Sequence, residues 1–369
     1  MLLRQKAKGK DQKANGRSGF AATSFLIFAF CLLPFVLFLS ACTKPPLYQQ
    51  QSYVFGTLVE VSIYGEDEAR AKKLTGQVLA DFDQMHEYLH AWKPGSLSRM
   101  NEIFANAPAK AAIQPGMIPL LEDATHLSEQ SGGLFNPAIG NLIRLWGFQN
   151  DEFKPLRPDP AEIEKWLLAK PKMSDIVVEG IEFHSKNPAV RVDLGGYAKG
   201  YALDVAADYL RAQGVKNALV NIGGNIIALG QHGKRPWQVG IQHPRKPGAI
   251  ATLELRDGEA IGTSGDYQRY FELDGKRYCH IIDPRSGYPA QGVQAVTVLI
   301  PKRGNAGVLS DAASKPAFIA GKSGWLEAAR KMGAQQAMLI DDRGEIYLTP
   351  AMKKRITFLE AGLKLHESP

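Results

Sequence analysis

From residue 176 onward, short apolar segments alternate with glycine-rich turns, and this alternation most constrains the fold. The clearest turn is Asp274-Gly275 between FEL and KRYCHII, a dipeptide typical of two-residue β-hairpins. Parallel strands need long crossover connections, which are rarer here than short turns. The sequence therefore predicts mainly antiparallel sheets.

A helical pattern follows the alternating segment TLVEVSIY at residues 57–64, which itself predicts a half-buried strand. Apolar residues recur after it at steps of three and four: Leu74, Val78, Phe82, Met85 and Leu89. Such a stripe packs against a core. We therefore expect an α+β fold with antiparallel sheets and helices packed on one face.

The first 41 residues have the pattern of a signal peptide. Six basic residues within residues 1–19 precede an apolar run at residues 20–39, and Leu-Ser-Ala stands directly before Cys42. This order is typical of export signals. Leu-Ser-Ala-Cys resembles the lipobox of bacterial lipoproteins, which implies a diacylglyceryl group on Cys42. The alternative is an uncleaved membrane anchor, since the run is nearly long enough to span a bilayer.

Three parts of the chain follow from this reading. Residues 1–41 form the signal peptide, residues 43–52 (TKPPLYQQQS) form a polar tether, and residues 53–360 form the folded domain. The lipid would hold the domain on the periplasmic side of a bacterial membrane, with the inner membrane favoured and the outer membrane left open.

Charge and cysteine usage limit the class of protein. The formal net charge is +7, but residues 1–41 contain six basic residues and one acid, so their removal leaves +2. A domain with so little net positive charge gives no case for nucleic-acid binding. Of the three cysteines, Cys31 lies in the signal, Cys42 is the proposed lipid site, and Cys279 remains without a partner for an internal disulfide.

The segment RVDLGGYAKGYALD, residues 191–204, predicts a strand that ends at Val192, two glycines and then a helix. A glycine loop that opens a helix leaves free backbone N–H groups at the positive end of the helix dipole, which suits a phosphate. Lys199 would add a point charge there. The alternative is an ordinary strand–helix turn in which Asp193 caps the helix.

Three further positions could carry chemistry. In SGGLFNPAIG, Phe135 could pack on the face of a heterocycle while polar neighbours read its edge, although ordinary packing explains it equally well. Asp311 could cap a helix or ligate a hard cation through oxygen. His280, at the end of the strand RYCHII, could be a buried core histidine or a catalytic base.

Taken together, these motifs resemble the ApbE family, the FAD:protein FMN transferases. The resemblance is carried by VDLGGYAKGYALD, HIIDPRSG and DAASKPAFIAG, by FGT at 55–57, by WKPGSLSRMN at 92–101, and by GGLFNPAIG with LWGF. It covers nearly all of the chain after Cys42. It implies an enzyme that binds FAD with Mg²⁺ and moves FMN to a Thr or Ser hydroxyl of an exported acceptor, releasing AMP. Typical acceptors are subunits of membrane electron-transfer complexes.

The resemblance also implies roles for particular residues. His280 is the expected catalytic residue, because a hydroxyl nucleophile benefits from a base in phosphoryl transfer. The expected FAD contacts are Phe55, Trp92, Leu134, Phe135, Asn136, Asp193, Lys199 and Ile281. The expected magnesium site comprises Gly196, Asp311, Ser314 and Lys315. Two FAD positions depart from the family pattern: Phe55 stands where Met is frequent, and Asn136 where Asp is usual.

Lys315 is the main departure from the family pattern, because it stands where a Thr metal ligand is expected and an ammonium cannot ligate a cation. Lys315 could point away, its ammonium could partly replace the ion against the diphosphate, or the chain could be a weak transferase that mainly binds FAD. Two alternative functions follow, a non-catalytic FAD-binding lipoprotein and an FAD pyrophosphatase.

Overall fold

The computed structural model describes residues 46–150 and 152–368. The predicted signal peptide, the lipid site at Cys42 and residues 43–45 of the predicted tether lie outside the described residues. Residues 46–368 belong to one structural unit. In this part of the chain no helix has the length and apolarity needed to cross a bilayer.

A nine-stranded sheet forms the centre of the fold. Neighbouring strands in it run antiparallel, except for the last pair, which is parallel. Its strands, in spatial order, are β1 (Leu47–Val54), β2 (Thr57–Tyr64), β6 (Ala218–Ile222), β7 (Asn225–Leu229), β10 (Ala260–Gly265), β13 (Val293–Ile300), β14 (Gln336–Asp341), β15 (Ile346–Leu348) and β17 (Leu365–Glu367). The prediction of mainly antiparallel sheets is therefore confirmed.

Three small antiparallel sheets complete the strand structure of the described residues. They are formed by β3 (Ala111–Ala112), β5 (Glu182–Ser185) and β4 (Ile176–Glu179); by β8 (Trp237–Gln242), β9 (Ala249–Leu255) and β16 (Ile356–Phe358); and by β11 (Tyr270–Leu273) and β12 (Lys276–Cys279). The last pair is the predicted hairpin. Asp274 and Gly275 have φ angles of 52° and 70°, as two-residue turns of this kind require.

The helices lie mainly on one face of the large sheet. They are α1 (Glu68–Leu89), α2 (Ser96–Ala105), α3 (Met117–Gln130), α4 (Gly140–Leu145), α5 (Pro160–Ala169), α6 (Ala198–Ala212), α7 (Ala306–Lys331) and α8 (Pro350–Lys353), with a 3₁₀ turn at Met173–Asp175. In α1 the predicted stripe is confirmed: Leu74, Val78, Phe82 and Leu89 are buried and Met85 is half-buried. The Asp67 carboxylate accepts a hydrogen bond from the N–H of Arg70, and this N-cap bond fixes the start of the helix.

Both faces of the large sheet are buried. Helices α1, α6 and α7 cover one face, with Phe82, Leu203 and Phe318 in the core beneath them. The other face, which includes Ile261 and Leu299, packs against β8, β9 and β16. The expected helical layer is confirmed, and the second, sheet-on-sheet layer is an addition that the sequence did not predict. Every residue of β13 is buried, as a central strand between two layers must be.

Two sequence-based boundaries are wrong. Residues 47–52 are not a tether, because they lie within β1, whose backbone pairs along its length with β2. Their polar side chains misled the interpretation, since an edge strand is held by backbone bonds and can expose alternate residues. The fold also continues past residue 360 to β17.

The predicted strand that ends at Val192 is also wrong. The preceding residue, Arg191, makes only an isolated bridge to Ile139.

Helices α6 and α7 cross at two glycines. A Cβ atom on Gly200 would stand 2.5 Å from the carbonyl oxygen of Gly307, and the reverse contact would be equally short. The crossing is held by the Asp204 carboxylate, which accepts hydrogen bonds from the N–H groups of Gly307 (2.7 Å) and Val308 (2.8 Å) at the start of α7. This contact fixes how the N-terminal part of α6 meets the first turn of α7.

The crossing makes a prediction about stability. Gly200→Ala forces a methyl group against backbone atoms that cannot move alone, so it should lower the free energy of unfolding by about 1–3 kcal/mol. Gly76→Ala is the matched control in α1, where no atom lies within 4 Å of the added Cβ. It should raise the free energy of unfolding by about 0.5–1 kcal/mol. Denaturant unfolding measures both, and a neutral Gly200→Ala variant would contradict the close crossing.

Candidate active site

A cleft of about 550 Å³ lies at the N-terminal end of α6, within the size range of small-molecule sites. Most of the predicted site residues line it: Phe55, Trp92, Leu134, Phe135, Asn136, Asp193, Gly196, Lys199, His280, Ile281 and Lys315. Asp311 and Ser314 are buried behind Lys315 on the same helix. The tertiary structure thus brings together segments that are far apart in the sequence.

Asp193 holds the glycine loop and the indole beside it. One carboxylate oxygen accepts a hydrogen bond from the N–H of Gly195 and the other from Nε1–H of Trp92, both at 2.8 Å. Helix α6 begins at Ala198, and Asp193 makes no capping bond to it, so the capping alternative is wrong. Within the protein, Asp193 positions the loop and Trp92 at the cleft wall.

Trp92 is also held from its ring face. The guanidinium carbon of Arg191 lies 4.6 Å from the ring centroid, a cation–π contact. Arg191 Nε is buried and has no hydrogen-bond partner among the described residues. Asp193 therefore fixes the edge of the indole and Arg191 fixes one face. An indole held in this way is a suitable stacking partner for a flat ligand.

Asn101 is a positioning residue that sequence analysis did not single out, although it ends the SLSRMN segment of α2. Its side chain is fully buried, donates to the carbonyl of Val192 (2.8 Å) and accepts from the N–H of Val192 (2.7 Å). These paired bonds hold the chain just before the glycine loop. A buried Asn that satisfies both the N–H and the carbonyl of one residue is costly to replace.

Phe135 and Asn136 form another part of the cleft wall. Phe135 is buried, and its backbone N–H donates to Ser131 Oγ at 2.9 Å. The Asn136 side chain donates to the carbonyl of Pro171 (2.9 Å) and accepts from the N–H of Ala138 (3.1 Å). Both observed bonds of Asn136 are structural, so it shapes the turn at the cleft edge.

His280 directly follows β12 and faces the cleft. Its backbone N–H and its Nδ1 both lie against the carbonyl oxygen of Arg269, at 3.0 and 3.2 Å. A carbonyl can only accept, so Nδ1 carries the proton and Nε2 is the ring nitrogen with a lone pair. Arg269 was not predicted, but the predicted hairpin could have shown that it lies opposite His280. With a two-residue turn at 274–275, the pairing register carries Tyr270 to Cys279 and hence Arg269 to His280.

The surroundings keep His280 neutral. Burial lowers the pKa of His280 to about 3, and the positive charges of Arg269, Lys199 and Lys315 act in the same direction. Burial also lowers the pKa of Lys199, with Lys315 and Arg269 adding to the effect. The sequence analysis expected a base that titrates near neutrality. The free protein instead has a weakly basic imidazole beside a group of cations, an arrangement suited to an anionic ligand.

Lys315 makes an ion pair with Asp311 at the end of the cleft. Its Nζ lies 2.6 Å from Asp311 Oδ1 and 2.7 Å from the Asp311 carbonyl oxygen. The other carboxylate oxygen accepts from the N–H of Gly200 at 3.1 Å. Asp311 lies inside α7 and not at its start, so it does not cap that helix. Of the three readings of Lys315, the one in which it points away is wrong.

The oxygen donors around Asp311 do not fit a magnesium ion as they stand. Ser314 Oγ lies 2.9 Å from the Asp311 carbonyl oxygen and 2.8 Å from Ser264 Oγ, so this hydroxyl is already engaged. The Asp311 carboxylate is neutralised by Lys315. The described residues include no group of three or more His, Cys, Asp or Glu side chains placed to hold a metal. Magnesium prefers near-octahedral oxygen ligands with uncompensated carboxylates.

A helix N-terminus, ammonium groups and a neutral imidazole in one cleft define a class of site that suits phosphate groups. Comparison with known proteins makes the class specific. The sequence profile of the ApbE family matches residues 55–339. The chain belongs to the ApbE family, which includes structurally characterised flavin transferases.

The relatives support this membership over most of the chain. An FAD:protein FMN transferase of Rhodobacter capsulatus is 42% identical over 86% of this chain, which spans 60% of that relative's length. One from Treponema pallidum is 30% identical over 85% of this chain and 90% of its own. The ApbE protein of Thermotoga maritima superposes with a TM-score of 0.75 at 30% identity, covering 84% of this chain and 99% of its own. Flavin transferase ApbE from Vibrio cholerae gives 0.72 at 27%, covering 84% and 99%.

The charge around His280 makes a prediction about its titration. In the free protein, NMR of the imidazole should show half-protonation well below pH 6.5, because burial and three cations oppose the imidazolium. Lys199→Met removes one of those cations and should raise the pKa of His280. Lys246→Met, at a surface ion pair with Glu360, should leave it unchanged. A His280 that titrates near 6.5 in the free protein would contradict this account.

Proposed function

We propose that this chain is an FAD:protein FMN transferase that binds FAD in the cleft and moves its FMN half to a Thr or Ser hydroxyl of an acceptor protein. The observation that carries the proposal is the meeting of the glycine loop, Lys199 and the neutral His280 in one cleft. The names of the relatives agree with this reaction.

The cleft suggests how FAD is held. The diphosphate lies at the N-terminus of α6, where the positive end of the helix dipole and Lys199 favour negative charge. The flat rings have apolar and aromatic walls available at Trp92 and Phe135. The two fixed contacts of Trp92, to Asp193 and Arg191, keep that wall in place before the ligand arrives.

The transfer is a displacement at the phosphorus of the FMN half. The acceptor oxygen forms a new bond to this phosphorus, the bond from phosphorus to the bridging oxygen breaks, and AMP leaves with the bridging electron pair. The hydroxyl proton passes to Nε2 of His280, whose Nδ1–H remains on the Arg269 carbonyl. The incoming diphosphate brings negative charge to the cations around His280, which raises the basicity of the imidazole where it is needed.

The proposal also covers the location of the enzyme, its acceptor proteins and its metal ion. The lipobox-like sequence at Cys42 supports a lipid-anchored enzyme on the periplasmic side of a bacterial membrane, with acceptors among subunits of membrane electron-transfer complexes. The family resemblance implies Mg²⁺ at Gly196, Asp311, Ser314 and Lys315. The engaged donors at Asp311 do not favour that ion, so no step above passes through it.

The proposal predicts covalent flavin transfer that depends on His280. With FAD and an acceptor domain encoded near this gene, mass spectrometry should show an FMN increment on a Thr or Ser, and chromatography should show AMP. His280→Ala should slow transfer by about 10²–10⁴-fold while FAD still binds, because the general base is lost. His184→Ala is the control, since His184 lies on β5 and outside the cleft.

The two alternatives give different products in the same experiment. A non-catalytic FAD-binding lipoprotein would bind FAD, release no AMP and tolerate His280→Ala. A pyrophosphatase would release FMN and AMP without acceptor, because water would replace the hydroxyl. Either pattern, with acceptors from neighbouring electron-transfer genes present, would overturn the transferase assignment.

A further inference from the structure

We propose that the ammonium group of Lys315 is a built-in cation that takes the place of a divalent metal ion beside the diphosphate, so that this chain holds FAD without magnesium. The inference rests on the proposed FAD binding, but it makes a separate claim about which cation faces the diphosphate.

The first support is the oxygen environment of the ammonium. Lys315 Nζ lies 2.6 Å from a carboxylate oxygen and 2.7 Å from a main-chain carbonyl oxygen, both of Asp311. Carboxylate and carbonyl oxygens are the donors that hard cations take in proteins. The ammonium thus occupies the kind of position that a cation would occupy.

The ammonium and a metal ion cannot share this position. Magnesium binds oxygen at about 2.1 Å, which would bring it close to an ammonium nitrogen only 2.6 Å from the same carboxylate oxygen. The second oxygen of Asp311 is hydrogen bonded to the N–H of Gly200. A dication would therefore have to displace Lys315 from a buried ion pair, because the charge of the Asp311 carboxylate is already balanced by this ammonium.

The backbone leaves room for the lysine side chain. Lys315 lies four residues after Asp311, on the same side of α7, which sets the two groups within reach. Its methylene chain passes over Gly196, where a Cβ atom would stand 2.9 Å from Lys315 Cε and 3.0 Å from Cδ. The glycine loop thus accommodates the lysine and directs it between the loop and Asp311.

The ammonium keeps one donor for a ligand. A lysine ammonium has three N–H donors, and Asp311 accepts two of them. The Lys315 side chain is 16% exposed while Asp311 is 1% exposed, and Lys315 lines the cleft together with Lys199. The third donor is therefore free to bond a phosphate oxygen, with a charge-assisted hydrogen bond as the result.

The test compares FAD affinity and metal binding in the full chain and its variants. FAD affinity, measured by quenching of flavin fluorescence, should agree within about twofold between EDTA and Mg²⁺ for the unaltered chain. Mn²⁺ serves as the metal probe, and its EPR signal should show no binding to the FAD complex. Unfolding curves establish that each variant is folded.

Two substitutions distinguish the contribution of the Lys315 ammonium to FAD binding from that of a metal ion. Lys315→Met, combined with Asp311→Asn so that no charge is buried alone, should weaken FAD binding about tenfold or more in EDTA. Lys315→Thr frees the carboxylate and adds a hydroxyl, so Mg²⁺ should tighten FAD binding about tenfold and Mn²⁺ should bind. Lys322→Met is the matched control, because Lys322 lies on the same helix as Lys315 and pairs with the buried Asp341 of β14. It should change neither affinity nor metal dependence.

The outcomes distinguish this inference from the proposed function. Mn²⁺ binding and Mg²⁺-dependent FAD affinity in the unaltered chain would overturn the built-in cation and leave the transferase intact. Unchanged FAD affinity in the Lys315→Met, Asp311→Asn variant would do the same. Failure to bind FAD under every condition would overturn both proposals.

Discussion

The close crossing of α6 and α7 is the contact on which the site depends. Two glycines, Gly200 and Gly307, let the helix backbones meet, and Asp204 fixes the crossing by binding the first N–H groups of α7. The same approach lets Asp311 reach the N–H of Gly200 and sets Lys315 beside the glycine loop. The N-terminus of α6 and the charged N-terminal half of α7 thus become two sides of one cleft.

The positive charges in that cleft explain why His280 is a weak base before FAD binds in the proposed reaction. Arg269, Lys199 and Lys315 disfavour the imidazolium form of His280, and burial does so more strongly. In the proposed reaction, FAD brings its own negative charges to the same place. Binding of FAD and protonation of His280 are therefore linked, because the negative charge of the diphosphate favours the positively charged imidazolium. A built-in ammonium fits this arrangement, since it supplies positive charge before any ion arrives.

Sequence reasoning succeeded where the signal was local. The Asp274-Gly275 turn predicted the hairpin that ends just before His280, and the periodic stripe predicted α1. It failed where a partner in space decided the outcome. Polar residues 47–52 became a strand because β2 offered a free edge, and Asp193 binds Trp92, about a hundred residues away, instead of capping α6. Local pattern cannot show such partners, since tertiary contacts override propensity.

The sequence by itself determined the family, the antiparallel sheets and many of the residues that line the cleft, because motifs and turns consist of neighbouring residues. Only the tertiary structure decided what those residues do to one another. Lys315 is a departure in the sequence, but its pairing with Asp311 requires the helix crossing and the open space over Gly196. The neutral state of His280 likewise depends on burial and on cations from three separate segments, which no linear spacing specifies.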